Sequence, residues 1–189
     1  MASHSHPLGD RLVVGITGRI GSGKTTVGKY LESRYGFQYL RYSAVIASWM
    51  GLDPDNKRHL RKIGWEIMAR GMQAELNHRL MEEMARNQDS AVDGLRHLLD
   101  FDTLSKSFRR SFHLLFIESA PLLRFERLRA KGKYEDYASF NSADVHPVEQ
   151  QIDLLRERAS YQIGNEASLE SLYATIDRSV SDFRRGGQS

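Results

Sequence analysis

The stretch that decides the fold is Arg11-Leu12-Val13-Val14-Gly15-Ile16-Thr17, followed at once by Gly18-Arg19-Ile20-Gly21-Ser22-Gly23-Lys24-Thr25. The first seven residues are a short apolar run with paired β-branched valines, the composition of a strand buried on both faces of a parallel sheet. The next eight match G-x-x-x-x-G-K-[ST] in full. Lys24 to Tyr35 then carries Val27, Tyr30, Leu31 and Tyr35 at helical spacing, with Gly36 as a C-terminal stop. A glycine-rich turn between a strand and a helix is the context that gives this motif its chemistry. The glycines, Gly18, Gly21 and Gly23, let the backbone wrap so that successive N–H groups, with those of Ser22 and Thr26 beside them, converge on one anion. The helix start adds partial positive charge, Lys24 reaches the β- and γ-phosphates of a nucleotide, and the Thr25 hydroxyl can bind Mg²⁺. The segment therefore predicts an ATP site with its magnesium ion.

Working outward, strands alternate with helices along the chain. Residues 37–42 complete a β-α-β unit, 43–50 read as a short helix ended by Gly51, and Asp53-Pro54-Asp55 supplies a turn and a cap. Residues 56–86 carry the longest helical pattern, with a kink or break expected at Gly64 or Gly71; the methionines along it (Met68, Met72, Met81, Met84) read as core. Short strands follow at 90–92, 112–117 and 161–163, and helices at 98–108, 121–130, 148–159 and 168–183, the last capped by Ser168. Residues 133–147 read as polar and irregular, and 184–189 as a mobile tail. This alternation predicts an α/β fold, a three-layer sandwich with a parallel sheet of about five strands between helices, and functional loops at the strands' carboxyl ends.

Composition narrows the function. The chain has 189 residues, 40% hydrophobic and 27% charged, and a single globular domain is expected at about 150 residues per domain. With no Cys, thiolate metal sites and thiol nucleophiles are excluded, and the 7 His fall in no H-E-x-x-H spacing. No run approaches the ~18–20 apolar residues of a membrane span, and the first residues lack the pattern of a secretory signal, so a cytoplasmic protein without membrane partners is expected. The net charge of +3 is uneven: residues 96–133 hold 9 Lys+Arg against 4 Asp+Glu, and residues 134–189 hold 5 against 10. A local excess followed by an acidic third is not the extended basic face of a nucleic-acid binder. GTPases would carry N-K-x-D, which is absent, and AAA-type or helicase machines usually need more length.

Two further segments point to phosphoryl transfer. Val92-Asp93-Gly94-Leu95-Arg96 ends a strand with a carboxylate that would emerge beside the phosphate loop, there to hold Mg²⁺ or to take a proton, and Arg96 is placed to grip a phosphate on the acceptor. Pro121 to Lys133 puts Arg124, Arg127 and Lys131 near one helical face before a flexible polar segment, the pattern of a lid that brings cations over charge on the transferred group.

VVGITGRIGSGKTTVGKYLESRYGF, YSAVI, VDGLRH, PLLRFERLRAKGK and YQIGNEASLESLYATID occur in the order found in the nucleoside monophosphate kinase and dephospho-CoA kinase-like group of small P-loop kinases. The chain resembles that group over about residues 11–180. The resemblance implies a single P-loop kinase domain with a five-stranded parallel core, ATP at the phosphate loop, an acceptor-binding helical region at about 43–86 and a lid at about 130–147. It also implies that Gly164 and Asn165 lie near the adenine. One departure bears on the acceptor: the relatives carry a carboxylate after the second strand, where this chain has Tyr42-Ser43-Ala44-Val45. A hydroxyl acceptor, such as the ribose of dephospho-CoA, profits from a base there, whereas a phosphate with a second pKa of about 6 is already anionic. Ala44 thus favours a (deoxy)nucleoside monophosphate or another small phosphorylated acceptor, used by a monomer or homodimer. A hydroxyl kinase of the dephospho-CoA type and a non-catalytic ATP-binding regulatory protein are the alternatives.

Overall fold

A computed structural model describes residues 11–186. Five parallel strands, β1 (Val13–Thr17), β2 (Gln38–Arg41), β3 (Ser90–Asp93), β4 (Phe112–Glu118) and β5 (Tyr161–Gly164), form one sheet in the order β2-β3-β1-β4-β5. The apolar run of residues 13–17 lies at the centre because all five residues are buried, with β3 and β4 on either side. Successive residues face opposite layers. Val13 joins Leu40, Val92 and Leu114 in one core, and Val14 and Ile16 join Val27, Leu31, Leu115 and Ile176 in the other.

The helices filling those layers follow from local signals. α1 (Lys24–Tyr35) ends at Gly36 in the left-handed region, φ 73°, and α2 (Tyr42–Met50) ends at Gly51, φ 63°. The long helical pattern divides into α3 (Lys57–Ala69) and α4 (Gln73–Glu83). The break falls at Gly71, φ 69°, while Gly64 stays inside α3. Asn56 rather than Asp53 or Asp55 caps α3, accepting from the His59 N–H at 3.1 Å. α5 (Leu98–Phe108) and α6 (Pro121–Arg129) lie at the expected positions.

The expectation of an irregular segment at 133–147 is corrected. Asp136 accepts from the Ser139 N–H at 2.7 Å and starts α7 (Tyr137–Asp144), whose Phe140 is fully buried against Phe125, Leu128, Ile20 and Tyr134. α8 (Pro147–Asp153) starts one residue earlier than expected, with Pro147 at its first position, and ends sooner, giving way to a 3₁₀ turn at 156–158. α9 (Leu169–Gly186) begins after Ser168, whose hydroxyl accepts from the Ser171 N–H at 3.3 Å, and continues through Arg184 and Arg185. The expected tail at 184–189 is thus helical to residue 186, and 187–189 lie outside the described residues. No helix among the described residues is long and apolar enough to cross a membrane.

Candidate functional site

The carboxyl ends of the strands open into a cleft of about 1520 Å³. Its floor is the phosphate loop, and its walls come from α2–α4 on one side and from residues 127–146 on the other. The loop glycines are there by steric necessity: a Cβ on Gly18 would stand 2.1 Å from the Ile117 carbonyl oxygen, and one on Gly23 would stand 2.3 Å from Asn165 Nδ2. That Nδ2 donates to the Ser22 carbonyl oxygen at 2.8 Å, so Asn165, just past β5, braces the loop from behind. α1 begins at Gly23 with no side-chain cap and no acidic residue in its first turn, which leaves its first amides and positive end open to an anion.

Lys24 Nζ donates to the carbonyl oxygens of Gly18 at 2.6 Å and Arg19 at 3.0 Å. Loss of hydration lowers its pKa, against the raising pull of Asp93 and Glu149. Thr25 is exposed at the start of α1, and its hydroxyl donates to Asp93 Oδ2 at 3.3 Å. A hydroxyl and a carboxylate side by side, next to a loop built for phosphates, fit the donor set of Mg²⁺, which takes few protein ligands and completes its shell with phosphate and water. Among the described residues no group of three or more acidic, His or Cys side chains forms a separate metal cage. Tyr39 donates its O–H to the same Asp93 Oδ2 at 2.6 Å. Burial, and then the charge of Asp93, push the Tyr39 phenol far above its usual range, so it stays a donor.

The arginines divide in their surroundings. Arg127 lines the cleft, half-buried, with its guanidinium donating to Ser119 Oγ at 3.1 Å and to the Asn165 carbonyl at 2.8 Å. Arg96 lines it too, paired with Glu149. Arg124, expected to close over the transferred group, is 3% exposed and is not among the residues lining the cleft. Its guanidinium is engaged on every side, by both carboxylate oxygens of Asp144 at 2.5 and 2.8 Å, by the Ile20 carbonyl and by the Ser119 carbonyl at 3.0 Å each. It works as a strut that ties α6, α7 and the phosphate loop together.

Glu149 was not singled out in the sequence. Fully buried in the first turn of α8, it accepts the Ile20 N–H at 2.8 Å and pairs with Arg96. Asp153 binds Arg19 at 2.6 Å, and the Asp144 carbonyl takes a second Arg19 nitrogen at 3.0 Å. The acidic third of the chain thus folds onto the basic stretch and onto the tip of the loop. Burial acts to raise the Glu149 carboxyl, but Arg96, Lys24 and the Ile20 N–H outweigh it and hold the pKa below the ordinary glutamate value. Because the folded value is depressed, the stability this group contributes is complete above the unfolded pKa of about 4.3 and is lost as pH falls through the folded value. Glu149→Gln is expected to flatten the acid side of the stability curve below about pH 5, which denaturant melts at stepped pH would read. An acid limb identical to that of the wild type would contradict this.

The walls also meet over the cleft. Trp65 of α3 stands edge-on to His146, with ring centroids 5.7 Å apart, and Arg61 donates to the Tyr134 hydroxyl at 3.3 Å. The helical region at 43–86 and the segment at 130–147 are therefore in contact across the opening.

Comparison with known proteins agrees with this architecture. A UPF0200 protein of Pyrobaculum aerophilum is 27% identical over 179 residues, covering 91% of this chain and 98% of its own. In fold, the chain is similar to a gluconokinase from Sinorhizobium meliloti (TM-score 0.59, 16% identity, 92% of this chain and 96% of that one). It is similar also to the shikimate kinase of Aquifex aeolicus (TM-score 0.61, 15% identity, 93% and 99%). The family model described as AAA domain matches residues 14–146, which run from β1 through the phosphate loop, Asp93 and the arginines of α6 to the end of α7. The chain belongs to that AAA domain family, with the fold of the P-loop kinases.

Proposed function

We propose that the protein is an ATP- and Mg²⁺-dependent kinase that moves the γ-phosphoryl group of ATP to a small acceptor, a (deoxy)nucleoside monophosphate, as in the nucleoside monophosphate kinase-like group. The observation that carries the reading is a complete phosphate loop at an uncapped helix start, with Thr25 and Asp93 in contact beside it and one cleft running on to a second wall of helices. In this reading the amides of Gly21, Ser22, Gly23, Lys24, Thr25 and Thr26 and the Lys24 ammonium take the β- and γ-phosphates. Thr25 and Asp93 hold the magnesium ion, which neutralises charge on the phosphate oxygens. Asn165 and Arg127 flank the nucleotide side. Arg96 takes the acceptor phosphate with guanidinium nitrogens not committed to Glu149, while Arg124 acts indirectly, by fixing the Ile20 carbonyl.

Phosphoryl transfer asks for little covalent chemistry from the protein. An acceptor phosphate oxygen bonds to the γ-phosphorus as the bond to the β–γ bridging oxygen breaks, and ADP leaves with that electron pair. An acceptor phosphate is ionised near neutral pH, which fits Ala44 at the place where the resembling kinases carry a carboxylate. A hydroxyl acceptor is the second reading. It is favoured by Asp93, a carboxylate in the cleft able to take a proton, and by the names of the two structural neighbours. We place the enzyme in the cytoplasm, as a monomer or homodimer.

Incubation with ATP, Mg²⁺ and a panel of nucleoside monophosphates plus dephospho-CoA, read by ADP formation, tests the proposal. Acceptor-dependent ADP with one or more nucleoside monophosphates is expected. Turnover on dephospho-CoA alone would establish the hydroxyl reading, and tight ATP binding with no product from any acceptor would make the protein a regulatory nucleotide binder.

A further inference from the structure

We propose that Tyr39 is a positioning residue for the divalent-ion site of Thr25 and Asp93, a role that rests on the kinase reading above. Three observations meet at this side chain. Its hydroxyl donates to Asp93 Oδ2 at 2.6 Å, the same oxygen that takes the Thr25 hydroxyl at 3.3 Å. Tyr39 stands on β2, opposite Ala91 of β3 in register, so the ring reaches forward along the sheet to a carboxylate two residues further on. Its edge lies against α1 at Gly28, where a Cβ would come within 2.1 Å of Cε2 and 2.7 Å of Cδ2 and Cζ.

Gly28 is the decisive neighbour. A glycine inside a helix is destabilising relative to alanine, and this one is buried in α1 one turn after Thr25, on the helix into which the phosphate loop leads. It lets the ring sit directly on the backbone that carries Thr25. The ring therefore fixes the spacing between the hydroxyl of Thr25 and the carboxylate of Asp93, while the O–H fixes the rotation of that carboxylate. Packing alone would be served by phenylalanine, because the ring joins the core of Val27, Leu31 and Ile163. The hydroxyl, by contrast, finds its partners at the site itself, the Asp93 carboxylate and the Thr25 hydroxyl beside it. When the Thr25 oxygen turns toward a cation, the hydrogen bond from Tyr39 still holds Asp93 in place.

Tyr39→Phe removes the O–H and keeps the ring. With Mn²⁺ as a paramagnetic probe, its binding to the protein–ATP complex can be followed by the electron-spin signal of the free ion. The variant is expected to bind Mn²⁺ about tenfold more weakly, the scale of one hydrogen bond to a charged group. Its affinity for ATP in EDTA is expected to match that of the wild type, and the concentration of Mg²⁺ giving half-maximal turnover to rise by a similar factor. Unchanged Mn²⁺ affinity would overturn the role. So would an equal loss of metal-free ATP affinity, or loss of the fold, since the hydroxyl would then be structural. A wild-type protein that binds no Mn²⁺ with ATP overturns the kinase reading itself, whereas a wild type that does so beside an unaffected Tyr39→Phe overturns only this role.

Discussion

Lys24→Ala is expected to lower the rate of γ-phosphoryl transfer by ~100- to 1000-fold, the scale of removing one preorganised charged donor from a transition state. The ammonium stands against the Gly18 and Arg19 carbonyls at the mouth of the loop, with Asp93 and Glu149 near enough to oppose the lowering of its pKa. In that position it is held beside the loop that would receive an incoming phosphate. Both of its hydrogen bonds go to backbone carbonyls of the loop, and the hydrophobic cores do not rest on it. The variant should therefore keep a near-native melting temperature while kcat collapses. Steady-state ADP formation, with thermal melts in parallel, checks both halves. Full activity in Lys24→Ala would remove the nucleotide role from the loop.

Arg124→Ala is expected to cost stability rather than chemistry alone, by about 3 kcal/mol, because removing one partner of a buried ion pair strands most of the other's charge, and Asp144 keeps only the longer contact with Arg19 at 3.5 Å. The Arg124 and Asp144 side chains are 4% and 7% exposed, and the two meet through paired contacts. The same guanidinium holds the Ile20 carbonyl, and its carbon lies 5.4 Å from the centre of the Phe140 ring. Loss therefore loosens the cluster of Phe125, Leu128 and Phe140 that anchors the segment over the cleft. Urea unfolding measures the cost. Arg124→Lys is expected to recover little, since an ammonium cannot repeat the forked contact, and Asp144→Asn in the Arg124→Ala background should restore part of the loss by removing a buried charge left with Arg19 alone. A change below ~1 kcal/mol in Arg124→Ala would show that the pair is not a structural strut.

What could be read along the chain was what depends on neighbours in sequence. The run of residues 11–17 is apolar because it sits between two strands and two helical layers, and the loop motif is contiguous, so both were visible directly. Gly36 and Gly51 announced their helix ends for the same reason. The segment at 133–147 looked irregular because it is short and polar, and its two buried residues, Phe140 and Asp144, find their partners in α6 and the loop. A cap at Asp136 with Ser139 three residues on was the local sign of a helix there.

The charge pattern was visible and its meaning was not. Residues 96–133 carry the basic excess, which alone suggests an open surface for phosphates. In the fold, Glu149 takes Arg96 across 53 residues and Asp144 takes Arg124 across 20, so part of that charge is spent inside the protein. Only the Pro147 helix start, which puts Glu149 in a first turn, hinted at such a placement. Tyr39 shows the same limit. Its partner Asp93 is 54 residues away, and its clearest local sign is the unexplained glycine at 28, whose reason becomes visible only when the ring is seen against it.

On the function proposed above, the cleft transfers a phosphoryl group from ATP to a small molecule. The most direct measurement is the fate of a label: wild-type protein incubated with γ-labelled ATP, Mg²⁺ and a mixture of nucleoside monophosphates, with the products separated and the label located. Label in a nucleoside diphosphate, formed with equal ADP and lost in Lys24→Ala, is the result expected. ATP bound to the protein while all the label stays in ATP or appears only as free phosphate would contradict it.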